Sequence, residues 1–366
     1  MKTVSLVSMS LMLLTLAHPV FAAESDIQPK IYDGIKTTTQ EWPSMVSLVK
    51  KNTSKLNCGG TLIAKNWVLT AAHCVFDKKT KHVVSVDAFD ILINRTLLSS
   101  QAGERIAIAS IDVHNAYAAS ANNNSFDHDI ALIKLSRSST ATPIETLSRY
   151  SDQDYVGNTA TALGWGVTDF TTEILSEQSD TLQKVALPII SNASCLQKFA
   201  SITDNMLCAG FALEGKDTCS GDSGGLLAIF DKTSNTWRQA GITSFGNANA
   251  YCGYLNTYGV YTRVKNYKRG ISSMICSAEE IPKAPTVQKT VAGSFVNLTW
   301  NTSNLNAKYL ITYTAHNQKN YHDIEMNQQT DFSITLPKGS DYDVWITAYQ
   351  GNCVSDYSNT ERVTVL

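Results

Sequence analysis

The sequence predicts an all-β protein built in two parts, and three observations carry that expectation. The apolar runs in the first three quarters of the chain are short and bounded by turn residues, as at Thr61 to Ala71, Ile130 to Leu135 and Leu226 to Phe230. Clusters such as Asn122 to Asn124 and Gly224-Gly225 punctuate them. Helical spacing is found in one segment, where Val264, Tyr267, Ile271, Met274 and Ile275 recur at three- and four-residue steps before Cys276. After Cys276 the pattern changes to alternation, and 366 residues is more than one ordinary domain needs.

The two parts differ in pattern. Residues Ser277 to Pro285 hold two prolines and two glutamates and read as a linker. Beyond it, Val296, Leu298 and Trp300 alternate along one strand, and Tyr309, Ile311 and Tyr313 along a second. Tyr342, Val344, Ile346 and Ala348 do so along a third. The turn spacing is that of a β-sandwich.

Composition excludes more than it assigns. Apolar residues make up 43% and charged ones 17%, a globular balance. A net charge of −2 gives no reason to expect a nucleic acid or an anionic membrane as partner. Lys2 followed by the apolar stretch Leu6 to Leu16, with Val20 and Ala22 at −3 and −1, predicts a signal peptide over residues 1–22. No later run is long enough to span a bilayer. An exported chain meets oxidising conditions, so its eight cysteines are expected to form disulfides. There is no Cys-x-x-Cys or His-Glu-x-x-His run, and no metal site is expected.

Three separated motifs carry the chemistry. They are Thr70-Ala71-Ala72-His73-Cys74, Asp129-Ile130-Ala131-Leu132, and Gly221-Asp222-Ser223-Gly224-Gly225. A serine hydroxyl is a poor nucleophile at neutral pH and needs a base, for which imidazole is suited. A buried carboxylate then fixes the imidazole tautomer. Asp127 is a rival to Asp129, two residues away.

These motifs resemble the trypsin-like serine peptidases of the chymotrypsin family over residues 31–276. The resemblance implies two six-stranded antiparallel β-barrels with a closing C-terminal helix and a cleft between the barrels. It implies Ser223 as nucleophile, His73 as general base, Asp129 as orienting carboxylate, and the N–H groups of Gly221 and Ser223 as the oxyanion hole. This is the family from which the general picture of the triad is drawn. Asp217, six residues before Ser223, matches the pocket floor that selects Arg or Lys, with Ser244, Gly246 and Gly259 at its walls. Protein substrates cleaved after Arg or Lys, and protein inhibitors of trypsin-like enzymes, are the implied partners.

Further expectations follow from the same resemblance. Lys30-Ile31 matches an activation junction, so residues 23–30 form a propeptide and the freed Ile31 amine pairs with Asp222. Lys30 suits the implied pocket, so either the mature enzyme cuts its own precursor or another protease does the cutting. Cys58–Cys74, Cys195–Cys208 and Cys219–Cys252 match family bridges, which leaves Cys276 and Cys353 to pair with each other or between molecules. Leu226 and Tyr258 depart from the family's usual prolines, and an aromatic at Tyr258 suggests a sodium site as the one cofactor. Glu104 sits where a calcium loop begins, without a second acidic ligand, and Asn247 to Tyr251 is longer than in typical relatives. Residues 286–366 resemble a fibronectin type III or immunoglobulin-like module, with Leu336-Pro337 and Tyr342 in a tyrosine-corner arrangement, and are expected either to bind a surface or substrate or to serve as a spacer. Secretion, through a bacterial periplasm to the outside, completes the expectation. The competing reading is a binding protein on an inactive protease scaffold.

Overall fold

The computed structural model describes residues 34–119, 126–147, 155–168, 178–213, 215–232, 234–247, 252–253, 258–301, 306–318 and 320–365. The expected signal peptide, propeptide, Lys30-Ile31 junction and Asn122–Asn124 cluster lie outside them, as does most of Asn247–Tyr251.

Two barrels and a sandwich make up the described chain. The first barrel closes in the order Met45–Lys50, Leu56–Ala64, Trp67–Thr70, Ala131–Leu135, Glu104–Val113, Phe89–Ile93. The apolar run expected from Thr61 to Ala71 is thus two strands, because the chain turns at Lys65-Asn66. The second barrel runs Gln183–Ile190, Thr159–Gly164, Leu226–Asp231, Thr236–Phe245, Gly259–Arg263, Met206–Ala209, and pairing of Ile189 with Ala209 closes it. Closure leaves neither barrel with a free edge. The helical spacing becomes a 3-10 turn, Val264–Tyr267, leading into the helix Lys268–Ile275. Val264, Tyr267 and Ile271 are buried, whereas Met274, expected on the same face, is 43% exposed.

The barrels meet through a shared core. Trp42, Met45 and Leu92 pack with Leu163, Trp165 and Leu226 from the other barrel. Leu226 is fully buried there, a burial contributing about 2 kcal/mol. The approach is closest at two glycines: a Cβ on Gly59 would stand 2.9 Å from the Gly225 Cα. Only a side chain of hydrogen fits at that crossing.

The tail forms two sheets, Val287–Ala292, Phe295–Trp300, Asp331–Thr335, and a five-stranded sheet centred on Lys308–Ala315 and Ser340–Gln350. Val296, Leu298 and Trp300 face Tyr309, Ile311, Tyr342, Val344 and Ile346 in one core, as the alternation predicts. The sandwich is fastened to the back of the barrels. The disulfide Cys276–Cys353 joins them, and the Asn352 amide donates to the carbonyls of Ile63 and Ile144 at 2.8 and 3.0 Å. Asn352 Oδ1 accepts from the Thr146 N–H at 2.6 Å and from its hydroxyl at 2.9 Å. Arg238, 1% exposed, hydrogen-bonds Glu325 of the sandwich at 2.9 Å and stands 3.1 Å from both Glu145 and Asp231.

Candidate active site

His73 lies in the short turn Ala72–Cys74 that follows the strand Trp67–Thr70. Its N–H donates to Asp129 Oδ1 at 2.9 Å, and its Nδ1 lies 2.7 Å from Asp129 Oδ2. With a carboxylate at Nδ1, the neutral ring keeps its proton there and presents Nε2 as the basic nitrogen. Asp129 is fully buried and accepts a second bond at Oδ2 from the Ser244 hydroxyl at 2.5 Å. Its carbonyl accepts from Thr262 at 2.7 Å, so strands of the second barrel grip a residue that stands two positions before the strand Ala131–Leu135 of the first. The preceding residue, His128, has φ 57°, a left-handed conformation uncommon outside glycine. Its ring stacks on His114 and hydrogen-bonds Tyr267 at 3.1 Å, which holds that turn.

Asp127, the rival carboxylate, is occupied elsewhere. Its Oδ1 accepts from Thr203 at 2.8 Å and Asn205 at 3.1 Å.

Ser223 is drawn to the same place by two adjacent residues of one strand. Cys58 bonds Cys74, the neighbour of His73, and the N–H of Gly59 donates to the Ser223 carbonyl at 2.8 Å. Thr70 holds the Gly59 carbonyl at 2.8 Å. Around Ser223 the backbone is tightly coiled, with φ 99° at Gly221 and 78° at Gly224. The N–H groups of Asp222, Gly224 and Gly225 bond the carbonyls of Cys219, Thr243 and Asp222. Those of Gly221 and Ser223 have no acceptor among the described residues. Two alternate donors in one loop are therefore unspent, a geometry suited to a developing oxyanion.

Asp217 and Asp222 are both buried, and among the described residues their hydrogen-bond donors are backbone N–H groups. Asp217 accepts from the N–H groups of Thr218 at 2.8 Å and Gly253 at 3.1 Å. Burial pushes its carboxyl up to about 6 despite those bonds. The disulfide Cys219–Cys252 ties together the two segments that supply them. Asp222 accepts from Cys219 at 2.9 Å and Gly166 at 2.8 Å, and burial, with some help from the Asp217 charge, pushes it up to about 7. A Cβ on Gly164 would fall 1.9 Å from its carboxylate, so the Gly164-Trp165-Gly166 segment has no room for side chains there. No cation pairs with either carboxylate among the described residues.

The expected pocket walls have separate fates. Gly246 is open, with nothing within 4 Å of a built Cβ. Gly259 is close-packed: a Cβ would meet the Tyr261 hydroxyl at 2.7 Å and Thr218 Oγ1 at 3.1 Å. Ser244 spends its hydroxyl on Asp129. The Thr218–Tyr261 pair, 3.0 Å apart beside Asp217, was not singled out from the sequence, although Thr218 adjoins the predicted floor. Phe126, edge-on to the His73 ring at 5.9 Å, and Lys78 above it were missed as well, because neither lies in a motif. Tyr258 is buried against Cys195, Met206 and Cys208. Glu104 is held by Ser139 at 2.6 Å, Thr140 and Arg137, which draw its carboxyl down to about 2 against the effect of burial. All four expected disulfides are formed, Cys195–Cys208 among them.

Similarity to known proteins agrees with this geometry. The trypsin family model matches residues 31–271. The chain is 33% identical over 270 residues to vitamin K-dependent protein C of Rattus norvegicus, covering 72% of this chain and 55% of that one. It is 31% identical over 247 residues to coagulation factor XI of Bos taurus, covering 66% and 37%. It is 29% identical over 275 residues to Limulus clotting factor C of Carcinoscorpius rotundicauda, covering 69% and 26%. The chain thus spans about half the length of these relatives or less. Its fold, its bonded His73 and Asp129 beside Ser223, and the matched residues agree: the chain belongs to the trypsin family of serine proteases.

Proposed function

We propose that the protein is a secreted endopeptidase that hydrolyses peptide bonds after Arg or Lys and is made as a zymogen cut between Lys30 and Ile31. The supporting observation is the His73–Asp129 pair, 2.7 Å apart, set beside a loop in which the Gly221 and Ser223 N–H groups are unspent. In this reading Ser223 Oγ attacks the substrate carbonyl and passes its proton to His73 Nε2. The two N–H groups receive the oxyanion. His73 then protonates the leaving amine, and water repeats the cycle on the acyl-enzyme. Asp129 stays ionised and steadies the imidazolium.

Asp217 supports the choice of Arg or Lys. A buried carboxylate with only amide donors gains most from a cation that brings its own charge. Asp222 supports activation by the same argument, with the Ile31 amine as its cation. Secretion rests on the N-terminal pattern of residues 1–22 and on the four disulfides. No helix among the described residues is long and apolar enough to cross a membrane. The C-terminal sandwich is read as fibronectin type III-like.

The test is a matched peptide panel with Arg, Lys, Phe or Ala before the reporter bond, given to protein cut at Lys30 and to the uncut chain. Hydrolysis of the Arg and Lys peptides by the cut form alone is the expected result. Cleavage after Phe or Ala removes Asp217 from the pocket floor, and equal activity of the uncut chain removes the zymogen.

A further inference from the structure

The linker between the barrels and the sandwich is hydrogen-bonded at both ends and unsupported in between. At its start the N–H groups of Glu280 and Ile281 donate to the Ser277 carbonyl at 3.0 and 3.2 Å. Glu280 Oε2 accepts from the Ser277 N–H at 2.7 Å. Just past its far end, the Thr286 N–H donates to Asn301 at 2.5 Å and the Val287 N–H to Asn359 at 2.8 Å. The four residues between, Pro282 to Pro285, make no hydrogen bond or ion pair among the described residues. Both prolines are buried, and Lys283 and Ala284 stand exposed between them. Other exposed lysines are tied into turns. The N–H of Lys81 donates to the Asp77 carbonyl at 2.7 Å and that of Lys198 to the Cys195 carbonyl at 2.9 Å. After Lys338, the Gly339 N–H donates to the Val365 carbonyl at 2.8 Å. A peptidase draws its substrate into an extended line, which costs least where no backbone bond has to break.

We propose that the Lys283–Ala284 bond is a processing site for endopeptidases that cut after Lys or Arg, and that cleavage there leaves a two-chain molecule joined by Cys276–Cys353. One water adds across the bond, leaving a carboxylate on Lys283 and an ammonium on Ala284. The disulfide has one sulfur on each side of the cut, so the sandwich stays attached. In the uncut chain that bond closes a ring. After the cut it is the only covalent link between barrels and sandwich, because the other three disulfides all lie before Lys283. Covalent attachment of the sandwich then depends on a bond that thiols can break. The site stands on the linker's own geometry; that a second copy of this enzyme makes the cut rests on the cleavage reading above. Both ends of the linker are fastened, by the disulfide and by the strand Val287–Ala292, so the cutter is a second molecule.

The experiment takes full-length Ser223→Ala protein as the substrate. It is incubated under native conditions with a commercial trypsin and, separately, with this enzyme cut at Lys30. New N-termini are sequenced, and the products are run on denaturing gels with and without reductant. The expected result is an N-terminus at Ala284, one band without reductant, and fragments 31–283 and 284–366 with it. Lys283→Gln is expected to lose the Ala284 terminus and Lys283→Arg to keep it. In the Ser223 background both should hydrolyse peptides at the wild-type rate. The double change Cys276→Ser, Cys353→Ser should give the two fragments without reductant. A chain that trypsin leaves intact or cuts only elsewhere, with no Ala284 terminus, overturns the proposal. So does separation of the fragments without reductant when both cysteines are present. Cutting by trypsin but not by this enzyme upholds the site and removes this enzyme as the cutter, and the peptide panel then shows whether the cleavage reading fails with it.

Discussion

The cleft and the seam behind it both bury charge, and they treat it in opposite ways. In the cleft, Asp217 and Asp222 are carboxylates with backbone N–H donors and no cation among the described residues. In the seam, Arg238 is enclosed by Asp231, Glu145 and Glu325, so its charge is matched more than once. An unmatched buried charge costs stability, whereas a matched one is roughly neutral and mainly enforces geometry. The cleft therefore holds unspent electrostatic energy that a cationic ligand can release, and the seam holds none. Polar burial fixes the sandwich in place, and unpaired burial prepares the site.

Replacing Asp217 by Ser is expected to have the largest effect. It should lower kcat/KM for Arg peptides about a thousandfold, measured by steady-state kinetics, because the substrate cation then binds without a charge partner. The pH dependence follows from the same group. Its folded pKa of about 6 lies above the unfolded value, so its contribution to stability is present below about pH 4 and is lost as pH rises through 6. Asp217→Asn should flatten that part of the stability profile, read by thermal melts between pH 4 and 7.

In the seam, Arg238→Met is expected to destabilise by about 3 kcal/mol in denaturant titration, since three carboxylates lose their cation. Asn352→Ala should cost about 2 kcal/mol, because it orphans the Ile63 and Ile144 carbonyls and the Thr146 donors. Should both changes prove neutral, the seam would be no tighter than a tether. Lys268, which donates to the Thr146 carbonyl at 3.2 Å, gives the seam a pH dependence of its own. Burial and then Arg238 lower its pKa to about 7, against the pull of Glu145 and Glu325. Between pH 7 and 10 the unfolded chain binds more protons there, so stability should rise with pH. Lys268→Met should abolish that rise in melts from pH 7 to 9.

The His73–Asp129 pair was legible because each partner sits in a short motif, and the proposed roles of Ser223 and Asp217 can likewise be read beside their own neighbours. The seam was not. Asn352 bonds Ile63 across 289 residues, and no local pattern links the two. Arg238 and Thr347 lie in no motif, yet both are buried because the sandwich packs on the barrels. The strand Ser340–Gln350 is buried on both faces from Ile346 to Tyr349, and alternation revealed only the inner one. Short helices escaped for a different reason: Asn192–Cys195, capped by Ser191, is too brief to show a period.

The most direct test of the contrast is the melting temperature of cut protein with and without benzamidinium, an aryl cation, compared with Asp217→Asn. The account predicts that benzamidinium raises the wild-type melting temperature by mass action. It also predicts that Asp217→Asn melts higher than wild type when free and no longer responds to the cation. A free variant that melts lower than wild type, with the benzamidinium shift intact, would contradict it: Asp217 would then be a structural carboxylate, and the charge kept for the substrate would lie elsewhere.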